Sequence, residues 1–328
     1  YGVDTSSYDE LISAHKSVEE VKEIIGADSL GYLSVEALYK SGSREEICAA
    51  CFDRKYPTYL YKSIEEANKD GKFYPMMPLR EDTVFGPIHS RRLGSSLGIN
   101  LLPKEGKICN FDCIYCECGW NKDGRDDTVI PTAAEVRQRL EDKLKELKAE
   151  GTRIDSITFS GDGEPTINPD FPQIIDDTLD LRDRYFPQAK VSVLSNATRV
   201  HIESIAAALK KVDNPILKID APTDALAEHI NKPAPGYSVE RVIKALEGFD
   251  GDFVLQTMFL KSKDFDSSSP EVLEGWMEIV RRLRPREIMV YTIARPTPEE
   301  GLQKFTPEQM ESLVRPLIEE GFKVSIRG

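Results

Sequence analysis

From about residue 77 onward, short apolar runs rich in β-branched residues alternate with longer stretches whose apolar positions recur every three or four residues. The short runs predict strands at 97–102, 155–159, 190–194, 216–220, 253–259, 287–293 and 323–326. The longer stretches predict helices at 133–150, 171–185, 202–211, 239–249, 270–283 and 307–319. Repeated strand–helix units imply a parallel sheet covered by helices. Six or so such units suit an α/β fold of the open, partial (β/α) barrel type better than a flat doubly wound sheet. Functional groups are then expected at the C-terminal ends of the strands.

The first 75 residues are patterned differently. Residues 17–25 form an amphipathic helix, with Ser17 as N-cap and Glu20 completing a capping box. Residues 34–40 predict a second short helix. The chain therefore divides into a small, mostly helical N-terminal extension (1–75) and a main domain (76–328).

Composition narrows the setting. Hydrophobic residues make up 40% of the 328 and charged residues 30%, as in ordinary globular proteins. No apolar run approaches the ~20 residues of a membrane span, and no signal-peptide pattern is present. A cytoplasmic setting is expected, where grouped cysteines point to metal rather than disulfides. The net charge of −13 argues against a non-specific nucleic-acid binder, although it leaves room for a local basic patch.

Chemistry concentrates in Lys107-Ile108-Cys109-Asn110-Phe111-Asp112-Cys113-Ile114-Tyr115-Cys116. Thiolates spaced this tightly suit zinc or an iron–sulfur cluster. A closed structural site takes four ligands, whereas a cubane on three thiolates leaves one iron open. Cys-x-x-x-Cys-x-x-Cys with an aromatic before the last cysteine resembles the radical S-adenosylmethionine (SAM) enzymes. The resemblance implies an α/β partial (β/α)6 TIM-like barrel and a [4Fe–4S] cluster on Cys109, Cys113 and Cys116, with SAM on the open iron and Tyr115 near the adenine. It further implies reductive cleavage of SAM to a 5′-deoxyadenosyl radical that takes a hydrogen atom from a substrate. The bland alternative is a zinc knuckle or three unligated thiols.

Other candidates follow predicted strands. Ser160-Gly161-Asp162-Gly163-Glu164-Pro165 resembles the Gly-Gly-Glu-Pro motif that holds the SAM amino group in that family, with Asp162 a departure from it. Gly161, Gly163 and Glu164 are thus expected cofactor contacts, the alternative being a glycine turn with a surface carboxylate. Ser195 and Asn196 either contact SAM or cap a turn. Lys218 and Asp220 share a strand face. They are the expected catalytic pair, Asp220 also touching cofactor, or else a structural ion pair. Gln256 with Met258, Thr292 with Arg295, and Arg91 with Arg92 are weaker candidates for anion or substrate contact. Cys118 is a spare thiol or a ligand of a second centre.

Two finer resemblances complete the picture. Arg91–Gly94, 97–100, 220–222, 230–233 and 291–296 look like a radical SAM subgroup related to the wyosine-type tRNA-modifying synthases, whose second-cluster cysteines have no match before Cys109. Residues 1–60, including 25–32 and Cys48 through Thr58, look like the C-terminal tail of an amidophosphoribosyltransferase. Cys48 and Cys51 would supply two of the four cluster ligands used in that family. The other two ligands and its catalytic parts lie upstream of such a tail, so the segment is expected to be inert. Met76 or Met77 would be the start of an ancestral enzyme fused to it. The expected partners are SAM, a small-molecule or tRNA substrate and an electron donor such as flavodoxin or ferredoxin, with no membrane. A non-catalytic iron–sulfur or regulatory module is the competing function.

Overall fold

Residues 94–103 begin as strand and end in a polar hook, and that change of geometry sets up everything downstream. In the computed structural model of the chain, strand β2 (Gly94–Ile99) buries Leu97 and Ile99 completely and stops at Asn100. The structure describes residues 12, 16–32, 34, 82–90, 94–103, 107–121 and 129–327. The chain divides into two compact units, Tyr1–Phe73 and Tyr74–Gly328.

In the first unit, helix α1 (Val18–Ile24) carries the expected capping box, Ser17 and Glu20 each accepting the other's backbone N–H. The second expected helix and Cys48 and Cys51 lie outside the described residues, as do Met76, Met77, Arg91 and Arg92 of the second unit.

The second unit is built on an eight-stranded sheet. Its order is β1 (Val84–Ser90), β2, β3 (Ser156–Phe159), β4 (Lys190–Ser195), β5 (Asn214–Lys218), β6 (Val254–Met258), β8 (Glu287–Tyr291) and β10 (Val324–Arg327). β2 through β10 run parallel, and β1 adds antiparallel to β2. A small ribbon pairs β7 (Leu260–Lys261) with β9 (Gln303–Lys304). Strand order that follows chain order, with a helix between most parallel neighbours, is the partial-barrel arrangement.

The crossovers are α2 (Ala133–Ala149), α3 (Phe171–Tyr185), α4 (Glu203–Leu209), α5 (Asp224–Ile230), α6 (Val239–Glu247), α7 (Pro270–Leu283) and α8 (Pro307–Glu319). Their starts are written in the sequence. Thr132 with Glu135 and Thr306 with Gln309 form capping boxes on α2 and α8, satisfying amides that the first helical turn leaves open. α2 buries Val136, Leu140, Leu144 and Leu147, one stripe at helical spacing.

The two faces of the sheet differ. Ile157, Phe159, Val191 and Val193 are wholly buried in the apolar layer. On the other face Ser96 and Thr158 hydroxyls lie 2.7 Å apart, Ser156 and Ser192 3.1 Å apart, and Asn214 donates to Ser192 at 3.1 Å. This hydroxyl ladder lines the concave side where branched apolar residues would fill a closed barrel. Lys218, Gln256 and Met289 stand beside one another in register on the same side.

Candidate active site

Loops after the parallel strands converge at one end of the sheet. The first, 107–121, follows β2 and carries the three cysteines. Its backbone is tied down on two sides. Ile108 pairs with Gly163 beyond β3, its N–H on Asp162 O at 3.2 Å and its carbonyl accepting Glu164 N–H at 3.1 Å. Asp112 N–H reaches Asn231 O at 2.8 Å, Ile114 N–H reaches Ile230 O at 3.0 Å, and Ala234 N–H reaches Asn110 O at 2.8 Å. The loop is thus clasped between the turn after β3 and the C-terminal end of α5.

Close backbone approach explains the two glycines. A Cβ on Gly163 would lie 2.0 Å from the Ile108 carbonyl oxygen, and one on Gly161 2.0 Å from Asn100 Oδ1. Gly163 also sits at φ +136°, which only glycine adopts at little cost. Asn100 Oδ1 accepts both Leu102 N–H and Asp162 N–H, at 3.1 and 3.2 Å. This is why β2 ends at Ile99 rather than at residue 102.

Glu164 lies in the same turn and is 1% exposed. Its Oε1 accepts from Ser195 Oγ at 2.8 Å and from Thr166, while Oε2 accepts Asn196 N–H at 2.7 Å. Burial raises its pKa against those hydrogen bonds. Asn196 in turn holds the cysteine loop. Its amide donates to Asn110 Oδ1 at 2.7 Å and approaches Cys109 Sγ at 3.6 Å, while its Oδ1 accepts from Thr198. Ala197, wholly buried, takes a left-handed φ of +60° so that the chain can make this clasp.

The third group lies at the ends of β5, β6 and β8. Asp220 accepts Met258 N–H at 2.8 Å, the Asn231 amide at 2.7 Å and the Tyr115 phenol. Lys218 donates to Tyr115 Oη at 3.0 Å and Tyr291 Oη at 2.5 Å, lying over both rings. Burial works to lower the Lys218 pKa, but Tyr291, Asp220 and Cys113 outweigh it and hold the amine charged. The two residues expected to act together thus meet through Tyr115, and Asp220 has its acceptor sites filled by the fold.

The three thiols are partly buried and close enough to perturb one another. Burial, then Cys113, raises the Cys109 thiol; burial pushes Cys113 up to about 11. Hydrogen bonding from Cys118, together with Lys107, draws Cys116 down to about 6. Among the described residues no three His, Cys, Asp or Glu side chains converge on a single metal ion. Three thiols on one loop suit a cubane, which offers a separate iron to each thiolate. Buried sulfurs, a buried cation and amide donors facing them match what such a cluster requires.

The weaker candidates separate from this centre. Arg295 is half-exposed and pairs with Glu117 at 3.1 Å. Thr292 Oγ1 is used on Phe259 O and Phe305 N–H, and Gln256 faces Met289 Sδ. Cys118 Sγ points at Asp162 Oδ1, 3.7 Å away. Sequence reading missed Asn100 and Asn231, each a lone asparagine whose partners lie far along the chain. It also missed Arg199, which follows the Asn196–Thr198 clasp and whose buried Nε has no hydrogen-bond partner among the described residues.

A partial barrel with a three-cysteine loop after its first parallel strand is the arrangement that the resemblance to radical SAM enzymes implies. Residues 106–261 match the model of the radical SAM superfamily, which uses a [4Fe–4S] cluster and SAM. Over 237 residues the chain is 29% identical to the GTPase Obg of Brachyspira hyodysenteriae, covering 71% of this chain but 33% of that protein. The chain therefore spans about a third of that relative, and it contains no Gly-x4-Gly-Lys-Ser/Thr phosphate loop. It is 27% identical over 238 residues to a UPF0026 protein of Methanocaldococcus jannaschii, covering 70% of this chain and 68% of that one. A 68-residue stretch is 48% identical to the amidophosphoribosyltransferase of Bacillus subtilis, covering 19% of this chain and 14% of that protein.

Solved structures agree on the fold. A radical SAM methyltransferase from Sphaerobacter thermophilus superposes with a TM-score of 0.53 at 14% identity, covering 99% of this chain and 95% of that one. TYW1 with a lysine–pyruvate adduct bound gives 0.50 at 13%, covering 88% and 90%. No helix among the described residues is long and apolar enough to cross a membrane.

Proposed function

We propose that the chain is a radical SAM enzyme in which Cys109, Cys113 and Cys116 hold a [4Fe–4S] cluster and substrate binds beside Lys218 at the concave mouth. When bound, the cluster supplies the electron that cleaves SAM to methionine and a 5′-deoxyadenosyl radical able to take a hydrogen atom from substrate. The observation that carries this reading is the three-thiol loop, clasped by the turns after β3 and α5 and facing amide donors.

The chain's own residues divide the remaining work. Gly161 and Gly163 let the turn after β3 press against the loop, leaving its backbone available to the SAM amino group. Glu164 holds Ser195 and Asn196 in place, and these would contact the ribose hydroxyls or carboxylate of SAM. Tyr115, fixed by Asp220, gives the adenine a flat apolar neighbour. Lys218 keeps a charged amine at the edge of the site, suited to a polar or anionic substrate group. Low-potential electrons would come from a flavodoxin- or ferredoxin-like donor. The segment before residue 76 would play no catalytic part.

The test is release of 5′-deoxyadenosine from SAM by anaerobically reconstituted protein with dithionite. The reading expects release by wild type and none by Cys113→Ala. A wild-type protein that holds a cluster yet never cleaves SAM, with candidate substrates including tRNA present, would be a non-catalytic iron–sulfur module instead.

A further inference from the structure

Two of the three thiols have amide donors, a buried lysine is bonded close to the third, and these groups come from different parts of the fold. Cys109 Sγ faces the Asn196 amide at 3.6 Å and Phe111 N–H at 3.4 Å. Cys113 Sγ faces the Asn231 amide at 3.3 Å. Near Cys116 the Lys107 ammonium bonds Gly119 O at 2.5 Å, and Gly119 N–H bonds the Cys116 carbonyl at 3.0 Å. Asn196 belongs to the end of β4, Asn231 follows α5, and Lys107 opens the cysteine loop itself.

Lys107 is the unusual member. Its side chain is 2% exposed, and lysines are rarely buried unless paired. The ammonium donates to Gly119 O at 2.5 Å and to Asp112 Oδ1 at 3.4 Å. These bonds span the loop from before the first cysteine to beyond the last, and Asp112 is itself fixed by Asn121 N–H at 2.8 Å. A buried cation is thus tied across the loop that carries three groups which become anionic when they bind metal. Asn231 has a comparable double role, since the same amide that faces Cys113 donates to Asp220 Oδ2 at 2.7 Å.

We infer that Lys107 and Asn231 are positioning residues that set the reduction potential of the cluster and its retention. The inference rests on the cluster reading above. Reduction adds one electron to a centre already carrying three thiolates. A fixed positive charge and N–H dipoles at the sulfurs stabilise that added charge more than they stabilise the oxidised state. Both therefore raise the potential, and outer-shell partners of this kind also hold the ligands in place. Asn231 passes the geometry of the Asp220–Tyr115 side of the site to one thiolate.

The experiment reconstitutes wild type, Lys107→Met, Lys107→Arg and Asn231→Leu anaerobically with iron and sulfide. It measures metal content, the midpoint potential by EPR-monitored titration, and the rate of iron loss to a chelator. The inference expects a lower midpoint in Lys107→Met, a smaller drop in Asn231→Leu and a near-normal value in Lys107→Arg. It also expects iron loss about tenfold faster in Lys107→Met. If Lys107→Met holds no cluster, Asn231→Leu decides. Variants that titrate and release iron as wild type does overturn the inference and leave the cluster reading intact. A wild-type chain that takes up no iron and sulfide overturns the cluster reading instead.

Discussion

The Asn196 backbone N–H donates to Glu164 Oε2 at 2.7 Å, joining the turn after β3 to the end of β4. Both carboxylate oxygens are used, the other accepting from Ser195 and Thr166. Glu164→Gln must turn an amide N–H toward one of these donors. We expect a loss of about 1–3 kcal/mol in urea unfolding and SAM binding weaker by about tenfold or more. Unchanged SAM affinity in a destabilised variant would confine Glu164 to a structural role.

Gly163→Ala tests the contact between that turn and the cysteine loop. The added methyl meets Ile108 O at 2.0 Å, whereas at Gly236, also in left-handed geometry with φ +85°, nothing lies within 4 Å. Gly236→Ala should cost about 1 kcal/mol. Gly163→Ala should cost on the order of 3 kcal/mol and impair iron uptake. Equal losses in the two variants would mean that the overlap is relieved elsewhere.

Tyr115 and Asp220 should behave as a coupled pair. The phenol donates to a buried carboxylate that also accepts from Asn231 and Met258. In a cycle of Tyr115→Phe and Asp220→Asn, unfolding free energies should depart from additivity by on the order of 1–2 kcal/mol. Additive losses would deny the contact its weight.

Asp213 gives the pH dependence. It accepts from Arg182 at 2.7 Å and from Val191 N–H at 2.8 Å, fixing α3 to β4. Burial pulls its pKa up, but the Val191 N–H and Arg182 outweigh this and leave it below the usual carboxylate value. With a folded pKa below the unfolded one, its contribution is full above about pH 4 and lost as pH falls through the folded value. Asp213→Asn should cost about 1–2 kcal/mol at pH 7. The gap from wild type should close on acidification below that range, and a gap independent of pH would contradict the assignment.

Much of this was legible along the chain because the signals are local. The cysteine spacing, the apolar stripes of α2, α3, α7 and α8 and the strand-end position of Lys218 are all set within a few residues. Strand ends were read too long at residues 100–102 because Leu101 and Leu102 are apolar and buried, while what stops β2 is the Asn100 side chain. β1 was missed because Gly86 and Pro87 break its alternation, and α5 was not read as a helix. The roles of Asn231, Asn100 and Lys107 were illegible for another reason. Their meaning lies in contacts formed only after folding, such as Asn231 with Cys113 across 118 positions.

The most direct measurement is metal analysis with EPR on protein reconstituted without oxygen. The account predicts iron and sulfide in equal amounts, one cubane per chain, with a reduced-state spectrum that changes when SAM is added. Zinc in place of iron, or a cluster spectrum indifferent to SAM, would contradict it.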